Sequence, residues 1–114
     1  MTLNQSDTLN QKFKRKWVTA LRSGKFKQGS GYLKTKGVQK HCCLGVACAI
    51  AGIPAQVYGN KGMPSELPEK YQKMLPPFFR AENSCDREAM TDLSSMNDDG
   101  ASFEKIADYI EETY

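Results

Sequence analysis

Residues 44–51 carry no polar side chain, and a helix without a polar face has to be surrounded by protein on every side. Its residues are mostly small, and Gly52 and Pro54 close it, so the segment reads as a buried helix around which the remainder packs. An internal strand is the competing reading. The longest apolar stretch, residues 42–53, falls short of the roughly 18–20 residues that a membrane-spanning helix requires, so no membrane role is expected.

The segments that would cover this helix follow from spacing. Leu9, Phe13, Trp17 and Leu21 recur every four residues, one side of a helix that Ser6 or Asp7 would cap. Gly24 stops it as a left-handed C-cap, and Arg22 suits the negative end of the helix dipole. Near the other terminus Ser102 caps a helix whose inner face is Phe103, Ile106, Ala107 and Ile110. Before it, residues 87–96 read as a helix with Met90, Leu93 and Met96 inward, and Asn97, Asp98, Asp99 and Gly100 turn the chain.

Between these elements, residues 25–31 read as a glycine loop that exposes backbone amides. Residues 32–34 and 38–41 form a hairpin about Thr35, Lys36 and Gly37, with Gly37 at the positive-φ position. Residues 56–80, broken by Gly59, Gly62, Pro64, Pro68, Pro76 and Pro77, are mostly connection, with a short helix launched at Ser65 and ended by Pro76. Residues 1–6 read as a flexible terminus. The 114 residues can bury one ordinary core, and the expected fold is α+β: a small, mainly helical single domain over residues 7–114 with a short β-hairpin.

The charge is strongly polarised. Residues 1–40 hold ten Lys or Arg and one acid, Asp7, for a net charge of +9, whereas residues 41–114 hold six Lys or Arg and twelve acids, for −6. The basic third points to an anionic partner: phosphate, nucleic acid or an acidic protein face. The two halves would also neutralise each other across the fold or across a homodimer.

Trp17-Val18-Thr19-Ala20-Leu21-Arg22-Ser23-Gly24, then Cys42-Cys43-Leu44-Gly45-Val46, then Asn97-Asp98-Asp99-Gly100-Ala101-Ser102-Phe103 with Ile106-Ala107 form three ordered blocks. In these blocks the chain resembles a family of small phage and prophage proteins. The resemblance implies a phage origin and action in the cytoplasm of a bacterial host, where small accessory phage proteins commonly bind host machinery, defence systems included. It implies no particular reaction, and residues 54–85 lie outside it.

The N-terminus lacks the basic-then-apolar order of a secretory signal, which fits a cytoplasmic protein whose four cysteines stay reduced. Zinc is disfavoured: in a helix Cys43 and Cys48 stand about 140° apart, and no repeated Cys pair exists to which His41, Cys42 or Cys85 would add. A nucleophilic cysteine would have to be Cys43 beside His41, the sole histidine, with Asn97 or Asp98 orienting the ring. Gly24 and Gly29 have the spacing of a phosphate-binding P-loop, but Ser30 stands where its lysine belongs. A calcium loop through Gly100 would put Ile106 at the glutamate position. No catalytic residue, metal ligand or cofactor is therefore assigned.

What remains is an anion-binding cluster around the glycine loop: Arg22, Lys25, Lys27, Gln28 and Lys34, with Phe26 and Tyr32 interleaved, joined by Asn97 and Asp98 unless those two only shape their turn. The expected function is that of a non-catalytic binding protein acting on a host protein or a nucleotide-type ligand, with nucleic acid as the alternative and a Cys/His enzyme as the remote one.

Overall fold

A computed structural model describes residues 7–35 and 37–114. The flexible terminus expected at residues 1–6, the Ser6 cap and Lys36 of the hairpin turn lie outside the described residues. The apolar segment is helical, α2 (Cys43–Ile50), and Cys43 through Cys48 are all buried. Its N-cap is Cys42, whose sulfur accepts from the Gly45 amide at 3.4 Å. Five elements pack against it: α1 (Gln11–Arg22), β2 (Lys40–His41), α3 (Ala55–Tyr58), the 3₁₀ turn Pro64–Glu66 and α5 (Ser84–Asp98). The closest approach is at Gly45, where an added Cβ would lie 1.8 Å from the Leu33 carbonyl oxygen, so only glycine fits.

α1 starts later than its apolar spacing suggests. Asn10 is the cap, its side chain accepting from Phe13 N–H at 2.8 Å, while Leu9 is buried ahead of the helix. The carbonyl of Thr8 takes the Phe78 N–H at 3.0 Å, so the chain before Asn10 serves tertiary docking. Ser23 and Gly24, at φ +77°, end the helix as expected. α6 (Phe103–Thr113) is capped by Ser102 and buries Phe103, Ile106, Ala107 and Ile110, the face that its spacing indicates. It lies along α1, and burying the two isoleucines of that face contributes roughly 1.5–3 kcal/mol each.

The pairing differs from the expected hairpin. The regular two-stranded sheet is parallel, β1 (Lys27–Gln28) against β2, with Lys27 beside Lys40 and Gln28 beside His41. The hairpin survives as one antiparallel bridge, Lys34 to His41, closed by Thr35 N–H to Lys40 O at 3.1 Å, with Gly37 at φ +82°. Leu33 and Lys34 also pair with the 59–61 segment, Asn60 N–H donating to Lys34 O at 2.8 Å and Leu33 N–H to Lys61 O at 2.7 Å. The glycine loop's amides are engaged: Gly29 N–H donates to His41 O at 2.8 Å and Gly31 N–H to Asp98 Oδ1 at 3.0 Å.

The connecting segment also supplies core. In place of one helix from Ser65, there is a 3₁₀ turn at Pro64–Glu66 and a single helical turn, α4 (Glu69–Gln72), after Pro68. A second 3₁₀ turn, Pro77–Arg80, inserts Phe78 and Phe79, both fully buried, against Trp17 at ring-centroid distances of 6.3 and 4.9 Å. α5 extends further at both ends than the expected residues 87–96, because Asn83 caps it through Asp86 N–H and because Asn97 and Asp98 remain helical. The turn begins at Asp99, with Gly100 at φ +98°.

Candidate anion-binding site

α1 has two faces. Trp17, Val18 and Leu21 are buried, while Lys12, Arg15, Lys16, Thr19 and Ser23, at spacings of three and four, share an exposed arc. Along this arc runs a groove of about 590 Å³, lined by Lys12, Arg15, Lys16, Thr19, Ala20, Ser23, Lys25, Phe26 and Ile50. Four of these residues are cationic and none is acidic. Among the described residues the ion pairs are those of Arg22 with Asp108 and Glu111, and none of them involves a cation of the groove. Phe26, half-buried, stands edge-on to His41 at 5.2 Å and 77°, and with Ala20 and Ile50 it gives the groove an apolar floor under a basic rim.

The residues expected around the glycine loop do not form one cluster. Lys25 joins the groove. Arg22 turns away: its Nη2 donates to Asp108 Oδ1 at 2.6 Å and to Glu111 Oε1 at 2.9 Å on α6, and these carboxylates hold its guanidinium well above the ordinary arginine value while Arg22 holds Glu111 below that of a free carboxylate. Lys27 is exposed on β1 next to Lys40. Lys34 is buried, with its Nζ 3.4 Å from the Thr35 carbonyl, and does not line the groove.

Gln28, Asn97 and Asp98, expected as ligand residues, line one cleft, but their hydrogen bonds are made to the protein itself. The Asn97 carboxamide, 3% exposed, accepts from Cys43 N–H and from Gln28 Nε2, each at 3.1 Å, and donates to Gly29 O at 2.7 Å. Gln28 Nε2 also reaches Ala101 O at 2.7 Å. This node ties the glycine loop, the start of α2 and the end of α5 to one another. It borders this second cleft, of about 570 Å³, which includes Ser30, Lys40 and Asp98. The node's polar atoms are turned on the protein itself, so its evident role is structural.

His41 and Cys43 do not form a nucleophile pair. His41 Nε2 hydrogen-bonds with the Tyr58 hydroxyl at 2.9 Å, and burial followed by the charge of Lys34 lowers its pKa. The Cys43 thiol donates to Leu93 O at 3.6 Å, and burial raises it well above the usual thiol value; burial likewise pushes Cys42 up to about 11 and Cys48 up to about 12. Three thiols so held stay protonated and packed. Cys85 is exposed on α5. Among the described residues no three His, Cys, Asp or Glu side chains are grouped to hold a metal ion, and no helix is long and apolar enough to cross a membrane.

Lys12, Arg15 and Lys16 were not among the residues singled out by sequence, which concentrated on the glycines. Their signal was present: three cations at i, i+3 and i+4 on the side of the helix opposite its apolar residues, in a third of the chain with a single acid. A family model described as a domain of unknown function (DUF8296) matches residues 9–53, a stretch that contains every residue lining the basic groove. No curated protein and no solved structure matches the chain.

Proposed function

We propose that this is a non-catalytic binding protein that engages an anionic partner through the basic groove of α1. The observation that carries the reading is the groove's lining, four cations with no acid beside them and, among the described residues, no ion pair. Desolvating and crowding like charges is unfavourable unless a counter-charge arrives, so a concave surface of one sign raises the local concentration of the opposite one. The packed, protonated thiols and the His41–Tyr58 pairing support a non-catalytic role. The resemblance of three blocks to small phage and prophage proteins supports a phage-encoded protein acting in a bacterial cytoplasm on a host target or host-made nucleotide, with interference in host defence as the most specific form.

The test is a binding panel with the full-length protein against nucleotides, a single-stranded oligonucleotide and polyglutamate, each at two salt concentrations. At least one class should bind, and a Lys12→Glu/Lys16→Glu variant that still unfolds cooperatively should lose that binding by tenfold or more. Steep weakening with salt would mark the oligonucleotide class, through counterion release. Failure of all three classes, or binding indifferent to charge reversal, would overturn the reading.

A further inference from the structure

We infer that the α1 groove takes a nucleoside polyphosphate, with the base on Phe26 and the phosphates along Lys12, Arg15 and Lys16; this rests on the anion-binding reading above. The lining has two chemistries in one cavity. Ala20, Phe26 and Ile50 are apolar, whereas Lys12, Arg15, Lys16 and Lys25 are cationic. A bare polyphosphate would have no use for the apolar floor, and a purely apolar ligand none for the cations. The volume, about 590 Å³, lies within the roughly 300–1,000 Å³ of small-ligand pockets.

Charge selects the number of phosphates. A terminal phosphate carries about −1.5 to −2 at neutral pH, so a monophosphate would leave about half of the four cations unmatched, and a diphosphate or triphosphate balances them. Arg15 offers a planar fork suited to two phosphate oxygens, and the lysines act as point charges on either side of it. From Lys12 to Ser23 the helix measures about 16 Å, room for a base, a sugar and a phosphate chain laid lengthwise.

The single aromatic decides between a nucleotide and a strand. Single-stranded nucleic acid is held by successive aromatics under successive bases. Among the lining residues Phe26 is the one aromatic, and its T-shaped contact with His41 restrains the ring, so one base has an aromatic partner and a second has none. Thr19 lies on the same arc as Lys12, Arg15 and Lys16, and its hydroxyl is the neutral group available to the sugar. The Ser23 hydroxyl already donates to Ala20 O at 2.7 Å and accepts from Lys25 N–H.

Calorimetric titration of the full-length protein with ATP, GTP, adenosine, inorganic tripolyphosphate and a dT oligonucleotide tests this. ATP or GTP should bind at least fivefold tighter than tripolyphosphate, the ratio expected at the low end of one stacked base, and adenosine should bind weakest. Phe26→Leu, which keeps the apolar volume that packs on the core, should reduce nucleotide affinity to that of tripolyphosphate and leave the latter unchanged. Arg15→Ala should weaken both by tenfold or more. Equal affinity for tripolyphosphate and nucleotide, or indifference to Phe26→Leu, would overturn the nucleotide assignment while leaving the anion site standing. Binding of the oligonucleotide without nucleotide would do the same, and no binding by any anion would overturn both.

Discussion

Asn97 is the side chain on which three parts of the fold depend, and its removal has a magnitude that the geometry sets. In Asn97→Ala two backbone groups lose a partner: the buried Cys43 N–H, the first amide of α2 and so without an intrahelical acceptor, and the part-buried Gly29 C=O. The first loss costs about 1–3 kcal/mol, and the second, at a carbonyl that water can reach, about 0.5–1.5 kcal/mol. Alanine recovers up to about 0.7 kcal/mol of helix propensity at the end of α5, so the net destabilisation should be about 1–4 kcal/mol, a large share of the 5–15 kcal/mol typical of a domain. The assay is urea unfolding followed by the fluorescence of Trp17, the sole tryptophan and fully buried.

Asn97→Asp separates the two losses. The introduced carboxylate still accepts from Cys43 N–H but points an oxygen at Gly29 O, where the amide nitrogen stands at 2.7 Å. Protonation restores a donor at that place, so the carboxyl's folded pKa lies above its unfolded value and the variant should regain stability as pH falls through that folded pKa, with its full contribution present below the unfolded value. An Asn97→Ala midpoint within about 0.5 kcal/mol of the unsubstituted protein, the scatter of ordinary surface changes, would refute the claim that the node holds the loop to α2.

Gly45→Ala should destabilise by about 2 kcal/mol or more despite alanine's propensity advantage of about 1 kcal/mol, since the new Cβ would sit 1.8 Å from Leu33 O; a higher urea midpoint would contradict it. A thiol reagent applied to the native protein at pH 8 should modify Cys85 rapidly and Cys42, Cys43 and Cys48 only at the rate of unfolding, which mass spectrometry of the labelled protein reads directly. Because burial lowers the His41 pKa below its ordinary 6.5, the unfolded chain takes up that proton first. Stability should therefore fall as pH drops below about 6.5 toward the folded value, and His41→Gln should flatten that slope in pH-dependent unfolding. Arg22→Ala should leave groove binding within twofold, because Arg22 faces Asp108 and Glu111; its small effect on melting temperature should vanish at high salt, both pairs being exposed.

The elements legible in the sequence were those whose signal is local and repeated. The apolar run became α2, the i, i+3, i+4 face of residues 103–110 became the inner side of α6, and Gly24 and Gly37 took the positive φ expected of them. The basic character of the first third was equally plain, because charge is counted without knowing the fold. Local spacing also contained the polar arc of α1, although nothing local gave it a floor.

What tertiary structure decided was partnership. The sequence could not say that β2 would pair in parallel with β1 rather than wholly with its own hairpin, since a two-residue strand carries no alternation to fix its register. Nor could it say that Phe78 and Phe79, set among prolines, would pack on Trp17, or that Asn97 would reach across 54 residues to Cys43. A groove exists only where Phe26 and Ile50, far apart in the chain, close against the polar face of α1. Arg22 and Lys16 look alike in sequence, and only the position of α6 neutralises the one and leaves the other to face the groove. Composition and period follow from each residue and its near neighbours, whereas pairing depends on long-range contacts that must overcome the entropy of closing the chain between them.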